Sequence, residues 1–284
     1  MVGGSNDSFL KVLSTESFQE LTSLPYLGTI TKAKWHPTDN RVAIAVQDGK
    51  SKPAILHLDN NKIIELDSIT NDGARAIAWN ATGDLLADGD NEGFLTFFDA
   101  TGAFLRKIDT GQKGLMGLDW HPKENTVVVV GESISLYDFA TDSLQHFEDR
   151  KEEVLMLSVA WNPNGAIFAT GDYGDFIQHY PPSLQYWTYD GEKIKTIDES
   201  KAEIRNLKWS GDGALLATAS EKLRLWNKEG ELVNEKSSEN LLWGIDWNTD
   251  GSRLVTTDEQ GNIQFWNQDL QPMKQLKYGS AWSP

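Results

Sequence analysis

Residues 207–227 read LKWSGDGALLATASEKLRLWN, and this stretch contains the pattern that predicts the fold. A short β-prone segment ends at Trp209, a turn follows, and a run of apolar and small residues ends at Ser220. A third segment alternates apolar and polar residues and closes on Trp226-Asn227, and a fourth begins near Glu231. Such runs, bounded by Gly, Asp and Ser, predict four short strands joined by tight turns.

The same pattern recurs along the chain. Each copy has a tryptophan at the end of its first strand, which we call the anchor tryptophan; the seven anchors are Trp35, Trp79, Trp120, Trp161, Trp209, Trp247 and Trp282. Their spacings are 44, 41, 41, 48, 38 and 35 residues, and no segment with helical periodicity interrupts them. Four strands repeated about every 40 residues are typical of a β-propeller, in which each blade buries its faces against its neighbours.

The repeated sequences Trp-Ser/Asn-x-x-Gly, Leu-Ala-Thr-Gly/Ala-Ser and x-Leu-x-Leu-Trp-Asn resemble the WD40-repeat family over essentially the whole chain. The resemblance implies an all-β fold of four-stranded antiparallel blades in a β-propeller, with residues 1–284 forming a single domain. No unit carries the family's Gly-His before the innermost strand, so the family's His–Ser–Asp–Trp hydrogen-bond tetrad is incomplete. We therefore expect the blades to depend more on apolar packing.

The two ends of the chain resemble parts of one blade. Residues 1–7 resemble a second strand, residues 9–13 a third and residues 18–21 a fourth, while Tyr278 to Trp282 resemble the missing first strand. We therefore expect seven blades, with the N- and C-terminal strands sharing one of them. Closing the ring in this way would leave no open sheet edge for pairing with another chain, and predicts a monomer.

Composition excludes several classes of function. The formal net charge is −16 and the sequence pI about 4.7, and the basic residues are too few and scattered for a nucleic-acid-binding surface. No apolar run approaches the roughly 20 residues of a membrane span, and residues 1–8 do not resemble a signal peptide. We expect no nucleic-acid or membrane partner and favour a cytoplasmic location. Without cysteine there is no disulfide, thiolate nucleophile or cysteine-based zinc site.

Candidate catalytic residues are few. His36 and His121 directly follow anchor tryptophans, which predicts a role in the turn, and no histidine pair has metal-ligand spacing. Asp119 and Asp246 directly precede anchor tryptophans, where local hydrogen bonding explains them. We expect no enzyme activity, catalytic residue, metal or cofactor. The alternative is a propeller enzyme of hydrolase or lactonase type, or a small-ligand binder, that uses the central channel.

In the WD40 family, the residue four positions before each anchor points toward the mouth of the channel on the top face. We call these positions the mouth column; they are Thr31, Arg75, Met116, Leu157, Arg205, Trp243 and Tyr278. All except Thr31 are candidate partner-binding residues. Trp243 is the one tryptophan of 11 outside the anchor and third-strand positions. It is either an interaction hot spot, as tryptophan often is, or a plug of the channel.

The predicted loops between second and third strands are rich in carboxylates. We call these residues the acidic rim: Asp7, Asp48, Asp90, Glu92, Glu132, Asp172, Asp175, Glu221, Asp258 and Glu259. They either serve solubility and tight-turn hydrogen bonding or steer a basic partner segment toward the top face. Arg75 and Arg205 can pair with this rim, or bind a carboxylate or phosphate of a ligand.

One of these loops is long. The distance from anchor to third-strand aromatic is 17 residues from Trp209 to Trp226 but 26 from Trp161 to Trp187. The extra segment, within residues 172–184, contains the further candidate partner-binding residues Tyr173, Phe176, His179 and Tyr180. We expect it to fold as a lip over the top face, opposite Trp243 across the channel mouth. The alternative is that it packs on its own blade.

Together these features predict a non-catalytic interaction scaffold. Its partner is expected to be a protein or peptide with basic residues, bound on the top face and at the channel mouth.

Overall fold

The computed structural model describes residues 2–4, 9–25, 28–47, 52–67, 73–147 and 154–277. The chain divides into two compact units, Met1–His146 and Phe147–Pro284, and all the sheets are antiparallel. No helix in these ranges is long and apolar enough to cross a membrane.

The first unit contains sheets 1 to 4. Sheet 1 consists of β1 (Val2–Gly4), β2 (Phe9–Leu13) and β3 (Glu20–Pro25). Sheet 2 consists of β4 (Ile30–Trp35), β5 (Arg41–Val46), β6 (Ala54–His57) and β7 (Lys62–Glu65). Sheet 3 consists of β8 (Ala74–Trp79), β9 (Leu85–Asp90), β10 (Phe94–Asp99) and β11 (Phe104–Asp109). Sheet 4 consists of β12 (Gly117–Trp120), β13 (Thr126–Val130), β14 (Ile134–Asp138) and β15 (Ser143–Phe147).

The second unit contains sheets 5 to 7. Sheet 5 consists of β16 (Met156–Trp161), β17 (Ile167–Asp172), β18 (Leu184–Thr188) and β19 (Lys193–Ile197). Sheet 6 consists of β20 (Asn206–Trp209), β21 (Leu215–Ala219), β22 (Lys222–Asn227) and β23 (Leu232–Ser237). Sheet 7 consists of β24 (Leu242–Trp247), β25 (Arg253–Asp258), β26 (Asn262–Asn267) and β27 (Pro272–Lys277).

Every sheet is a meander in which strands adjacent in the chain pair with each other, as in a propeller blade. The prediction of four-stranded antiparallel blades is confirmed for six sheets. Sheet 1 has three described strands, which match the second, third and fourth strands predicted for residues 1–21. The strand predicted from Tyr278 to Trp282 lies outside the described residues.

The residue after each of the six described anchor tryptophans closes the turn into the second strand. The Asn80 side-chain oxygen accepts hydrogen bonds from the backbone N–H groups of Gly83, at 2.9 Å, and Leu85, at 3.1 Å. His36 and His121 do the same through Nδ1, which accepts from the N–H of Asp39 at 3.1 Å and of Glu124 at 3.0 Å. The predicted turn role of both histidines is confirmed.

Anchor tryptophans join the innermost strands of neighbouring sheets within each unit. The indole N–H of Trp120 donates to the carbonyl of Ala78 at 2.9 Å, and that of Trp209 donates to Ala160 at 3.2 Å. Trp247 donates in the same way to Lys208 at 3.1 Å. In each case the acceptor residue directly precedes the anchor tryptophan of the preceding sheet. The same position in each of these repeats therefore holds its innermost strand against that of the preceding repeat.

A second set of tryptophans braces sheets 5 to 7 internally. The third-strand indole N–H donates to a threonine hydroxyl on the second strand in three pairs: Trp187 to Thr170 at 3.1 Å, Trp226 to Thr218 at 3.0 Å and Trp266 to Thr256 at 3.0 Å. The tetrad lacks its histidine, as the sequence shows, but its tryptophan-to-hydroxyl bond is kept in these sheets. Apolar residues such as Leu216 and Leu225 complete the core around them.

Replacing Thr218 by Val should destabilise the protein by about 1–3 kcal/mol, because the buried Trp226 N–H loses its acceptor while the side-chain volume is kept. Thr218→Ser keeps the hydroxyl and should cost only about 1 kcal/mol for the lost methyl group. Urea denaturation measures both changes, with the exposed Thr249→Val as the control. A Thr218→Val midpoint equal to that of the wild type would show that this bond contributes nothing to stability.

Candidate functional site

The mouth column lies where the innermost strands depart from regular pairing. In four sheets the register shifts by one residue, between Ile30 and Lys32, Ala74 and Ala76, Met156 and Ser158, and Leu242 and Gly244. The skipped residues are the mouth residues Thr31, Arg75, Leu157 and Trp243. Met116 and Arg205 directly precede β12 and β20. A β-bulge turns a side chain out of the alternating pattern, and no feature of the sequence pattern indicated these bulges.

The residue before each of the six described mouth positions is buried, and in sheets 6 and 7 it is fixed by a backbone hydrogen bond to the preceding sheet. The N–H of Ile204 donates to the carbonyl of Asp172 at 3.0 Å, and that of Leu242 donates to Ser220 at 2.9 Å. Ile204 packs against Gly171, where a Cβ atom would lie 2.5 Å from the isoleucine side chain. Only glycine allows this approach, so Gly171 helps to set where β20 begins.

Arg205 and Trp243, neighbours in the mouth column, are in contact. The guanidinium carbon of Arg205 lies 4.8 Å from the centre of the Trp243 ring. Nε and Nη2 of Arg205 donate to the same carboxylate oxygen of Glu203 at 2.9 and 2.8 Å. The Asn206 side-chain amide donates to the Trp243 carbonyl at 2.5 Å. Trp243 is half-buried, so one part of its ring system remains accessible. We call Arg205, Trp243 and Glu203 the stacked cluster.

Glu203 was not found by sequence reasoning. It does not belong to the acidic rim, because it lies between the fourth strand of sheet 5 and the first strand of sheet 6. A glutamate two residues before a mouth-column arginine was the available signal. Its carboxylate fixes the plane of the guanidinium, which leaves Arg205 pre-positioned on Trp243.

The other candidate mouth residues have varied surroundings. In the first unit, Arg75 and Met116 approach each other, with 3.8 Å between Nη1 and Sδ. In the second unit, Leu157 is buried. Tyr278 lies outside the described residues. The structure therefore brings together Arg75 with Met116 and Arg205 with Trp243.

The long loop begins from a rigid base. The Asp172 carboxylate accepts hydrogen bonds from the N–H groups of Gly174 at 3.0 Å and Ser183 at 2.9 Å, which are nine residues apart in the chain. The N–H of Tyr173 donates to the carbonyl of Leu155 at 3.0 Å. Because the Asp172 carbonyl also accepts from Ile204, the loop lies at the same end of the sheets as the stacked cluster.

Beyond this base the loop forms a small hairpin, residues 173–180, which we call the insert hairpin. Asp175 and Tyr180 exchange two backbone hydrogen bonds of 2.8 Å. The Asp175 carboxylate accepts from the N–H groups of Ile177 at 2.8 Å and Gln178 at 2.9 Å, and His179 closes the turn at φ +63°. The backbone of this loop is thus internally bonded from end to end.

The insert hairpin exposes its apolar side chains. Tyr173 is 44% exposed, Phe176 56% and Ile177 91%, and the two aromatic rings meet edge to face with centroids 6.5 Å apart. His179 is exposed and Tyr180 is half-buried. Such exposure shows that Phe176 and Ile177 do not pack on sheet 5. Ile177, the most exposed of them, was not among the residues chosen from the sequence.

Carboxylates of the acidic rim hold turns together. Those that accept a hydrogen bond are Asp90, Glu132, Asp172, Asp175, Glu221, Asp258 and Glu259. Asp90 and Asp258 each bond the N–H groups two and four residues later, at 2.8–2.9 Å. The turn-bonding interpretation therefore applies to Asp90, Asp172, Asp175 and Asp258, whereas Glu132 and Glu259 accept from residues 19 and 18 positions earlier in the chain. Asp7 and Asp48 lie outside the described residues.

The protonation of the acidic-rim carboxylates depends on their surroundings. Burial raises the pKa of Asp90, outweighing the bonds from its turn. Burial would also raise the pKa of Glu221, but hydrogen bonds from Arg224 and Ser220 and the charge of Arg224 lower it overall. Glu221 therefore stays ionised to a lower pH than an ordinary glutamate. Asp246 uses its carboxylate locally, accepting from the Trp247 N–H at 3.0 Å.

Lys32 follows the bulge on β4 and has an altered protonation equilibrium. Burial, with a smaller contribution from the positive charge of Lys34, lowers its pKa from 10.5 to about 7. The two lysines are two residues apart on a strand and so lie on the same face. Among the described residues, no three His, Asp or Glu side chains form a group that could hold a metal ion.

The lowered pKa of Lys32 predicts a pH-dependent stability. Between pH 7 and 10.5 the unfolded chain binds a proton that the folded protein does not, so stability rises with pH in this window. For one full proton the slope is about 1.4 kcal/mol per pH unit. Lys32→Met should raise the melting temperature at pH 7 and reduce this slope.

Thermal unfolding from pH 7 to 9.5 tests this prediction, with the exposed Lys62→Met as the control. Identical slopes for the wild type and Lys32→Met would contradict it.

Comparison with known families adds to this geometry. A family model described as Eukaryotic translation initiation factor eIF2A matches residues 91–245, which is more than half of the chain. The chain belongs to this family. A second model, described as WD domain, G-beta repeat, matches residues 231–267. The resemblance to WD40 repeats is thereby confirmed, and the protein is a WD-repeat β-propeller protein.

Individual relatives include one protein named for an interaction and one named for its WD repeats. SIR4-interacting protein SIF2 of Saccharomyces cerevisiae is 34% identical over 155 residues, 45% of this chain and 28% of the relative. F-box-like/WD repeat-containing protein TBL1X of Homo sapiens is 36% identical over 62 residues, 22% of this chain and 10% of the relative. Periodic tryptophan protein 2 homolog of Caenorhabditis elegans is 20% identical over 279 residues, 93% of this chain and 29% of the relative. The chain thus spans less than a third of these relatives.

Proposed function

We propose that the chain is a non-catalytic interaction module that binds a protein or peptide at the stacked cluster. The contact between Arg205 and Trp243 carries this proposal, because it presents a half-buried indole and a fixed guanidinium side by side. Tryptophan and arginine are the residue types that contribute most to binding energy at interfaces. The name of SIF2 records an interaction with another protein, which supports the same class of function.

Preorganisation of the stacked cluster favours binding. An arginine that orders only on binding loses side-chain entropy, whereas Arg205 is already fixed by Glu203 and Trp243. Trp243 lies at a bulge whose neighbour Gly244 leaves no room for a Cβ beside Thr257. Both parts of the contact surface are therefore held in place before a partner arrives.

Charge indicates the chemistry of the partner. The net charge is −16, and the carboxylates that accept hydrogen bonds within turns contribute to it. A field of this sign accelerates the approach of a positively charged segment and repels an acidic one. We propose a partner with basic residues, bound by a monomer of this chain.

We also propose that residues 1–284 form one seven-bladed domain. Sheet 1 has three described strands, and the sequence Ser280-Ala281-Trp282 repeats the pattern of an innermost strand. Adding Tyr278 to Trp282 to sheet 1 would give it the four strands of the other sheets.

Trp243→Ala should weaken binding by on the order of 2 kcal/mol, about 30-fold, because the variant removes the surface on which Arg205 stacks. The probe is a set of peptides selected on the wild-type protein from a randomised 12-residue display library, and fluorescence polarisation gives their affinities. Phe104→Ala, on the exposed face of β11, removes a similar aromatic side chain elsewhere and should leave binding unchanged.

Thermal unfolding of the same variants separates binding from folding. Trp243→Ala should melt close to the wild type, because the anchor and third-strand tryptophans remain. If Trp243→Ala unfolds while binding per folded molecule is unaltered, Trp243 is a plug and the proposed site is wrong.

Deleting residues 278–284 should cause aggregation or a large fall in melting temperature, since the deletion would remove a strand from sheet 1 and expose its edge. Light scattering and thermal unfolding measure the effect. A truncated protein that stays monomeric with an unchanged melting temperature would rule out the shared sheet.

A further inference from the structure

We propose that the insert hairpin and the carboxylates at its foot form a second contact surface, which takes an extended peptide segment with apolar and basic side chains alternating along one face. This inference rests on the proposed function and specifies its partner. We define the foot as Asp175, Asp198 and Glu199.

The first support is the rigidity of the insert hairpin. Its base is closed by Asp172 across Gly174 and Ser183, and its tip by the paired backbones of Asp175 and Tyr180. A segment bonded at both levels loses little conformational freedom when it is covered. A flexible insert of the same composition would lose that advantage.

The second support is the apolar surface that this rigid segment presents. Single exposed apolar residues are common, but Tyr173, Phe176 and Ile177 share one short turn and are all exposed. Covering them would remove a compact apolar surface from water, which favours binding. The tip projects from sheet 5 and therefore fits apolar side chains that close around it.

The third support is the negative charge of the carboxylates beside this surface. The Ser183 hydroxyl donates to the Asp198 carboxylate at 2.5 Å, which places Asp198 next to the point where the chain leaves the insert hairpin. Asp198 and the following Glu199 are exposed. Asp175 adds a third carboxylate between the base and the tip. Negative charge thus lies next to the exposed apolar side chains.

These features select one kind of occupant. Lysine or arginine side chains would satisfy the carboxylates of the foot, while apolar side chains two residues away, on the same face of the peptide, would cover Phe176 and Ile177. In an extended peptide alternate side chains point to opposite sides, and residues two apart lie about 7 Å from each other. A second copy of this chain fits poorly, because each copy carries a net charge of −16.

The base of the insert hairpin and the stacked cluster lie at the same end of the sheets. The Asp172 carbonyl is bonded to Ile204, the residue before Arg205. A peptide bound at the stacked cluster therefore lies at the same end of the sheets as the foot of the insert hairpin. The insert thus extends the binding surface of sheets 6 and 7 toward sheet 5.

Three synthetic ten-residue peptides test the inference on the full chain, with the repeating orders Leu-Leu-Lys-Lys, Leu-Leu-Glu-Glu and Ser-Ser-Lys-Lys, so that each face of the extended peptide alternates the two residue types. Fluorescence polarisation should show that the Leu/Lys peptide binds at least about tenfold more tightly than the other two. The double variant Phe176→Ser/Ile177→Ser should lower the affinity for the Leu/Lys peptide about tenfold. Asp198→Asn/Glu199→Gln should weaken it and reduce the dependence of its affinity on salt.

Matched controls come from the outer strand β23. Leu232 and Val233 are 43% and 55% exposed, so Leu232→Ser/Val233→Ser removes comparable apolar surface elsewhere and should leave the affinity unchanged. Asp269→Asn removes an exposed carboxylate away from the insert hairpin and serves as the charge control. Thermal unfolding of every variant confirms that the protein remains folded.

The outcomes separate the inference from the proposed function. If Trp243→Ala weakens the Leu/Lys peptide but both insert variants bind normally, the stacked cluster stands and the inference is overturned. If the insert variants weaken binding and Trp243→Ala does not, the inference stands and the stacked cluster is wrong. Equal binding of the Leu/Lys and Leu/Glu peptides would overturn the inference, as would an equal loss in the β23 control.

Discussion

The indole N–H of an anchor tryptophan, buried and bonded to the backbone of the preceding sheet, is the interaction on which the arrangement within each unit depends. A buried N–H without an acceptor is costly, and Trp120, Trp209 and Trp247 each find one at the carbonyl before the previous anchor. This fixes one innermost strand against the next, as Trp209 does with Ala160 and Trp247 with Lys208. The stacking of sheets in turn covers the apolar residues that no single sheet can bury.

That constraint leaves the residue four positions earlier available for other uses. From the anchor back to position −3 the innermost strand pairs regularly with its neighbour, and at position −4 it bulges. A residue at a bulge contributes little to the ladder, so its side chain can change without loss of the sheet. Thr31, Leu157 and Trp243 occupy equivalent positions with unrelated side chains. The repeat thus combines a constant scaffold with a variable end.

The acidic loops serve two physical purposes at once. Asp90, Asp172 and Asp258 all end a second strand and all bond the turn that follows. Hydrogen bonding does not remove the charge of an ionised carboxylate, so groups that hold turns also contribute to the field of the protein. The structural role and the electrostatic role of these carboxylates are therefore compatible.

The sequence by itself determined the strands, their order and their turns, because alternation, turn residues and the spacing of tryptophans are local properties of the chain. It also identified Trp243 and the long loop as exceptions to the repeat. Tertiary structure alone decided that Arg205 stacks on Trp243 and pairs with Glu203, because that contact joins side chains 38 residues apart. It likewise decided that Ile177 is exposed while Pro182, five residues later in the same loop, is buried. Burial depends on what packs against a residue, and hydrogen bonds such as that between Asp172 and Ile204 arise only when distant segments meet.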